Sequence, residues 1–266
     1  MMNAANEITH QTKLYGFIGV DAGVSLVSSK LNKIFKAEQK DAMMIPLNIR
    51  EDDYHFTVAN MKNSHVNGAL ISKEFSTSSL EVLDSMSEVV EKSSYYDFVL
   101  REDKKLYGDV VLVRSLVDYL SSSRLKKVAL LGVTKQAKAF GLLARDLLDL
   151  SYFSDNLEDL MSFSTSLGCK QADLNRLADG MSVDLSEFDA VVDMSEFSSL
   201  EMISSLAKQN FDLLPKKMLS PLKIRSNELG ESYFGFEEQL ELLSRTIYEY
   251  LMSKNELRDA PMGLNF

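Results

Sequence analysis

Short apolar runs alternate with longer stretches of helical spacing along the whole chain, and this alternation excludes most folds. The apolar runs predict strands at Leu14 to Gly19, Ala42 to Leu47, Val66 to Ile71, Tyr95 to Leu100, Leu106 to Val111, Val128 to Leu131 and Phe188 to Asp193. The periodic stretches predict helices at Ser25 to Ala37, Asp53 to Lys62, Ser79 to Glu91, Leu112 to Ser122, Lys135 to Leu148, Leu157 to Leu167, Leu200 to Asn210 and Phe236 to Met252. Parallel strands need a crossover helix, so the pattern argues an α/β fold with mainly parallel sheets. "REDKK" between two strand-like runs reads instead as a hairpin turn. The polar stretch "SSSRLKK" precedes the apolar "VALL", and a second domain is expected to begin near there.

With 266 residues and 45% hydrophobic content, the chain can bury one large core or two smaller ones. Its formal charge of −10 argues against nucleic acid and anionic membrane surfaces as partners, because phosphate binding rests on clustered Lys and Arg. One cysteine, Cys169, excludes an internal disulfide framework and fits a reducing compartment. The N-terminal residues lack an apolar signal core, and no run approaches bilayer length. A soluble, cytoplasmic protein is expected. His10, His55 and His65 are dispersed, so no metal cluster or catalytic triad is read from them.

"VALLGVTKQAKAFG", residues 128 to 141, begins like a strand and turn that hold a dinucleotide and then departs from that pattern. Only Gly132 stands where a glycine fingerprint needs three. Thr134 reads as a helix cap, and Lys135 is the one side chain here that could contact a phosphate.

The order of elements, with particular residues inside it, resembles the shikimate dehydrogenase family. The opening "YGFIGVDAGVSLVSSKLNKIF" is similar to that family's strand, glycine, serine loop and Asn-bearing helix, and "AMMIPL" to its apolar-Pro-Leu strand end. "GALISKEFS", residues 68 to 76, stands for Gly-x-Asn-Val-Thr-x-Pro-x-Lys, and "YGDVVLVRS" for Gly-x-Asn-Thr-Asp-Gly. "DLLPKKMLSPL", Asp212 to Leu222, stands for Asp-Leu-x-Tyr followed by Thr-Pro-Leu, and Gly235 then starts the last helix. The resemblance implies a substrate domain of residues 1 to 111, completed by a C-terminal helix within 236 to 266. It also implies a Rossmann-like domain of residues 112 to 235 with a degenerate nucleotide loop, and an interdomain cleft.

The same resemblance implies chemistry that this sequence has altered. The family's catalytic Lys and Asp fall on Ser76 and Leu112, neither of which can exchange a proton unaided. Its two carboxylate-binding serines fall on Ser25 and Val27, its strand Asn on Leu70, its Thr on Ser72, and the Asn of its next turn on Tyr96. Its substrate-contacting Tyr falls on Pro215 and its helix Gln on Leu242. Side chains of Val133, Thr134, Lys135 and Gln136 occupy the turn that the family builds from glycines. Asp155, Glu158 and Asp159 lie where it places an Arg for the adenosine 2′-phosphate.

Glycines and core positions persist while polar groups of the cleft are lost, so two classes of function follow. The first is a repurposed, pseudoenzyme-like protein with no cofactor, which binds a small molecule more apolar than shikimate or a protein partner through Ser25, Ser72 and Tyr96. The second is an oxidoreductase of specialised metabolism that uses NAD(P), held by Gly132, Thr134 and Lys135. In it Lys73, Tyr96 or Asp109 would be the rebuilt acid–base group.

Overall fold

The computed structural model describes residues 11–168, 173–178, 180–215 and 218–259; His10 and Cys169 lie outside them. In the first half run β1 (Lys13–Gly19), α1 (Val27–Ala37), β2 (Ala42–Asn48), α2 (Tyr54–Asn60), β3 (Val66–Ile71), β4 (Ser85–Met86), α3 (Glu88–Ser93), β5 (Phe98–Glu102) and β6 (Lys105–Asp109). They form a six-stranded sheet in the order β2-β1-β3-β5-β6-β4, in which β1, β2 and β3 are parallel and β5 is antiparallel to both neighbours. Asp103 and Lys104, at the tip of the β5–β6 hairpin, both have positive φ (44° and 64°), as a tight hairpin turn requires. A Cβ on Gly68 would sit 2.9 Å from the Val99 carbonyl, so only glycine allows β5 to lie this close to β3.

The second half continues with α4 (Leu112–Ser122), β7 (Lys127–Leu131), α5 (Lys135–Ala144), β8 (Asp149–Ser154), α6 (Leu157–Leu167) and β9 (Leu174–Arg176). It goes on through β10 (Val183–Asp184), β11 (Ala190–Asp193), β12 (Ile203–Ser205), β13 (Gln209–Asp212), α7 (Pro221–Leu229), β14 (Ser232–Phe234) and α8 (Phe236–Asp259). Its main sheet, β14-β13-β11-β7-β8-β9, is parallel throughout. β7 and β11 lie at its centre and are buried on both faces, hence the uninterrupted apolar runs "VALL" and "AVV". Helix α8 turns back to the first half and packs on α1 and α4. Leu240, Leu243, Ile247 and Leu251 are its buried stripe, and Tyr248 and Tyr250 lie 5.9 Å and 5.8 Å from the rings of Phe35 and Phe98. Arg245 is ion-paired to Glu38 of the first half. Among the described residues, no helix is long and apolar enough to cross a membrane.

Two expected helices are not formed. Ser79 to Glu91 divides into a 3-10 turn at Leu80–Val82, strand β4 and helix α3, which starts only after the Ser87 cap. The cause is tertiary: β4 pairs with the edge of β6, and Leu83 fills the space left by Gly108, where a Cβ would meet its Cδ1 at 2.5 Å. Leu200 to Asn210 becomes β12, a connection and β13. The apolar spacing of Leu200, Ile203, Leu206 and Ala207 suits a helix, yet all four pack into the smaller core cluster while the backbone pairs with β10, β11 and β14. Three expected strands are shorter, starting at Phe98 and Ala190 and ending at Asp109, and the helix expected to reach Leu148 ends at Ala144. β8, β9, β10, β14 and α7 had no sequence expectation.

Candidate ligand site between the two sheets

Three spaces are lined by residues of both halves of the chain. The first is a crevice of about 460 Å³ beyond the carboxyl ends of β7, β8 and β11, lined by Gly132, Thr134, Lys135, Asp155, Asp159 and Glu196 among others. Such a position, outside the strand ends of a parallel sheet, is where this architecture binds ligands. Gly132 has φ +95°, and a Cβ on it would lie 2.5 Å from the Cα of Ser195, so two independent constraints require glycine there. Thr134 caps α5: its hydroxyl accepts from the Ala137 N–H at 3.2 Å and donates to the Met194 carbonyl at 2.8 Å. Lys135 donates to the Thr77 carbonyl of the first half at 3.5 Å.

The second space is nearly filled. Ser72, Lys73, Tyr95, Leu112, Gln136 and Phe236, with three further residues, enclose only about 10 Å³, room for a single water at most. Tyr95 is buried, and its hydroxyl accepts from Gln136 Nε2 at 3.3 Å and lies 3.4 Å from Asp97 Oδ2. Burial pushes its phenol well above the usual range, and the Asp97 charge adds to the rise. Asp97 is itself fully buried and serves as a remote cap of α4, accepting the N–H groups of Val111, Leu112 and Val113 at 2.5, 3.1 and 3.2 Å. Burial pushes its carboxyl up to about 6 despite those bonds. Lys73 enters from the first half; burial lowers its ammonium, while Asp193, Asp212 and Glu196 of the second half oppose that shift.

The third space, about 460 Å³, belongs to the loop after β1. Phe17, Ala22, Val24, Leu26, Met218 and Phe236 are among its apolar walls, with Ser25, Ser72, Glu74 and Glu237 as polar members. Glu74 is held by the Val20 N–H at 2.8 Å and the Ser72 hydroxyl at 2.5 Å. Ser72, Pro215 and Phe236 form a wall common to this cavity and the filled pocket.

The residues singled out from sequence fall in different places. Ser25 and Ser72 line the third space, Gly132, Thr134 and Lys135 the crevice, and Lys73 and Leu112 the filled pocket. Ser76 is buried just behind that pocket, its hydroxyl donating to the Lys73 carbonyl at 2.8 Å. Tyr96 lines none of the three. It is fully buried, with its hydroxyl 2.8 Å from that of Tyr54, and its neighbour Tyr95 takes the central position. Asp109 ties the first sheet to α8 through Tyr250 and lies 3.8 Å from Arg114. Leu242 is on the exposed side of α8, whereas Gln239 is the buried amide of that helix and donates to the carbonyls of Asp212 and Phe234. Asp97 and Gln239 carried no readable sequence signal, because their partners belong to other elements. Among the described residues, no group of three or more His, Cys, Asp or Glu side chains could hold a metal ion.

No family model matches the chain, and a search of the curated proteins found no match. Solved structures do match. Shikimate 5-dehydrogenase from Thermus thermophilus, in complex with NADP(H) and shikimate, superposes with a TM-score of 0.70 at 11% identity, covering 91% of this chain and 94% of that one. Shikimate 5-dehydrogenase from Listeria monocytogenes, in complex with shikimate and NAD, gives 0.66 at 16% identity, covering 93% and 94%. The 5-ketofructose reductase of a Gluconobacter strain gives 0.66 at 14% identity, covering 92% and 99%.

Proposed function

We propose that this chain, which has the fold of the shikimate dehydrogenases, binds a small molecule more apolar than shikimate and does not transfer hydride. The filled central pocket carries this reading. Hydride transfer needs the two reactants in contact at bonding geometry, and here the pocket that adjoins the apolar cavity, lined by Tyr95, Leu112, Leu213, Pro215 and Phe236 among others, leaves only about 10 Å³. NADP does not suit the crevice: Val133 and Thr134 occupy the turn that a pyrophosphate needs open, and Asp155 and Asp159 oppose a 2′-phosphate. The cavity of the first sheet is therefore the ligand chamber, and the protein acts in the cytoplasm.

A second reading, an NAD(P)-dependent oxidoreductase of a non-shikimate substrate, draws support from Lys73, an amine within the central pocket, and from the likeness to a reductase. Titration of the protein with NADPH and NADH, followed by nicotinamide fluorescence, separates the two. The first reading expects no saturable change; micromolar binding of either nucleotide transfers support to the second.

A further inference from the structure

Resting on the reading of the apolar cavity as a ligand chamber, we propose that its ligand is an apolar amine whose ammonium sits on Glu74. The end of β1 and the 3-10 turn Lys73–Phe75 build the seat of that carboxylate. A Cβ on Gly19 would come within 3.1 Å of both Glu74 Oε1 and the Ser72 Cβ, so glycine at the end of β1 leaves the room that the carboxylate fills. The Val20 N–H donates to Oε1 at 2.8 Å and the Ser72 hydroxyl to Oε2 at 2.5 Å. Both donors are neutral, and among the described residues no cation pairs with Glu74. A carboxylate offers about four lone-pair sites, so the two bonds leave it able to accept from a ligand.

Shape and charge narrow the ligand together. Phe17, Ala22, Val24 and Phe236 are among the walls that take an apolar body. The ionisable side chains among the described lining residues are Asp21, Glu74 and Glu237, all acidic, and no Lys, Arg or His is among them. Asp21 and Glu237 each have interactions of their own within the protein, and Glu74 is the carboxylate with neutral partners alone. An acid would meet like charge at this wall. A neutral apolar body would take water from the Glu74 carboxylate and return no charge. An ammonium on an apolar body meets both conditions. Because two protein donors already hold Glu74 in place, the ion pair orders the ligand without having to order the carboxylate.

Displacement of the neutral dye N-phenyl-1-naphthylamine from the intact chain at pH 7 by 2-phenylethylamine, 2-phenylethanol and phenylacetate tests this, because the three share a shape and differ in charge. The amine should bind on the order of five-fold tighter than the alcohol, with the acid weakest. Glu74→Gln keeps an oxygen for the Val20 N–H and should bring the amine to the affinity of the alcohol. An amine that binds the native chain no tighter than the alcohol overturns the proposal and leaves the chamber standing on the alcohol. An amine preference that survives in Glu74→Gln overturns the assignment to Glu74. If neither the dye nor any of the three binds, the chamber falls as well.

Discussion

Gln136 donates its side-chain amide to the hydroxyl of Tyr95 at 3.3 Å, joining the first turn of α5 to the loop before β5. Both groups are buried, so each is the other's means of satisfying a polar atom away from water. Tyr95→Phe should therefore destabilise by about 1 to 3 kcal/mol, since it strands the Gln136 amide. Tyr95→Ala should cost about 3 to 5 kcal/mol through the cavity it leaves. Urea denaturation measures both, and equal midpoints for Tyr95→Phe and the native chain would show that the bond contributes nothing.

Two buried carboxyls make stability depend on pH. Asp97 and Asp212 are each pushed up to about 6 in the fold, from 3.8 when unfolded, with burial the largest cause. Between about pH 4 and 6 the folded chain holds protons that the unfolded chain has released, so these groups lower stability as pH rises through that window. Each contributes on the order of 3 kcal/mol across it. Asp212→Asn should flatten the slope of unfolding free energy against pH by one group's share. Parallel curves for variant and native chain from pH 4 to 7 contradict the assignment.

The cap of α5 is local and separable. Thr134→Ala removes the acceptor for the Ala137 N–H and the donor to the Met194 carbonyl, at a cost of about 1 to 2 kcal/mol. Thr134→Ser should restore most of that loss in thermal unfolding. A serine variant no more stable than the alanine one would place the effect in the threonine methyl group.

Placing a lysine at position 76 and an aspartate at position 112 should not produce shikimate oxidation. Ser76 and Leu112 are both buried, and Leu112 lines a space of only about 10 Å³, so Ser76→Lys with Leu112→Asp buries two charged groups without room for water to solvate them. The double variant should unfold at lower temperature and show no shikimate oxidation with NADP. Turnover above background in the folded variant would mean that the centre opens further than its packing indicates.

Legibility differed between elements for a physical reason. The hairpin at "REDKK", the central parallel strand "VALL" and the stripe of α8 were readable because their signals are local: turn conformation, an uninterrupted apolar run, and one apolar face. Ser79 to Glu91 and Leu200 to Asn210 were misread as helices because their apolar spacing fits a helix equally well, and the decision lay with strands β6, β11 and β14, far along the chain. Ser25 and Ser72 line the third space and Lys135 the crevice. Which of Tyr95 and Tyr96 faces the centre was not readable, since the backbone between the Ser93 turn and β5 sets it.

By itself, the amino-acid order determined the α/β class and the side chains Ser76, Leu112, Val133 and Thr134 at their places along it, because these are matters of residue type and short-range periodicity. Only the tertiary structure decided that the pocket lined by Tyr95 and Leu112 is filled, that Asp97 caps a helix beginning fifteen residues later, and that Asp193, Asp212 and Glu196 act on Lys73. Each of those depends on atoms brought together by packing across two sheets, and no local pattern encodes the distance between them.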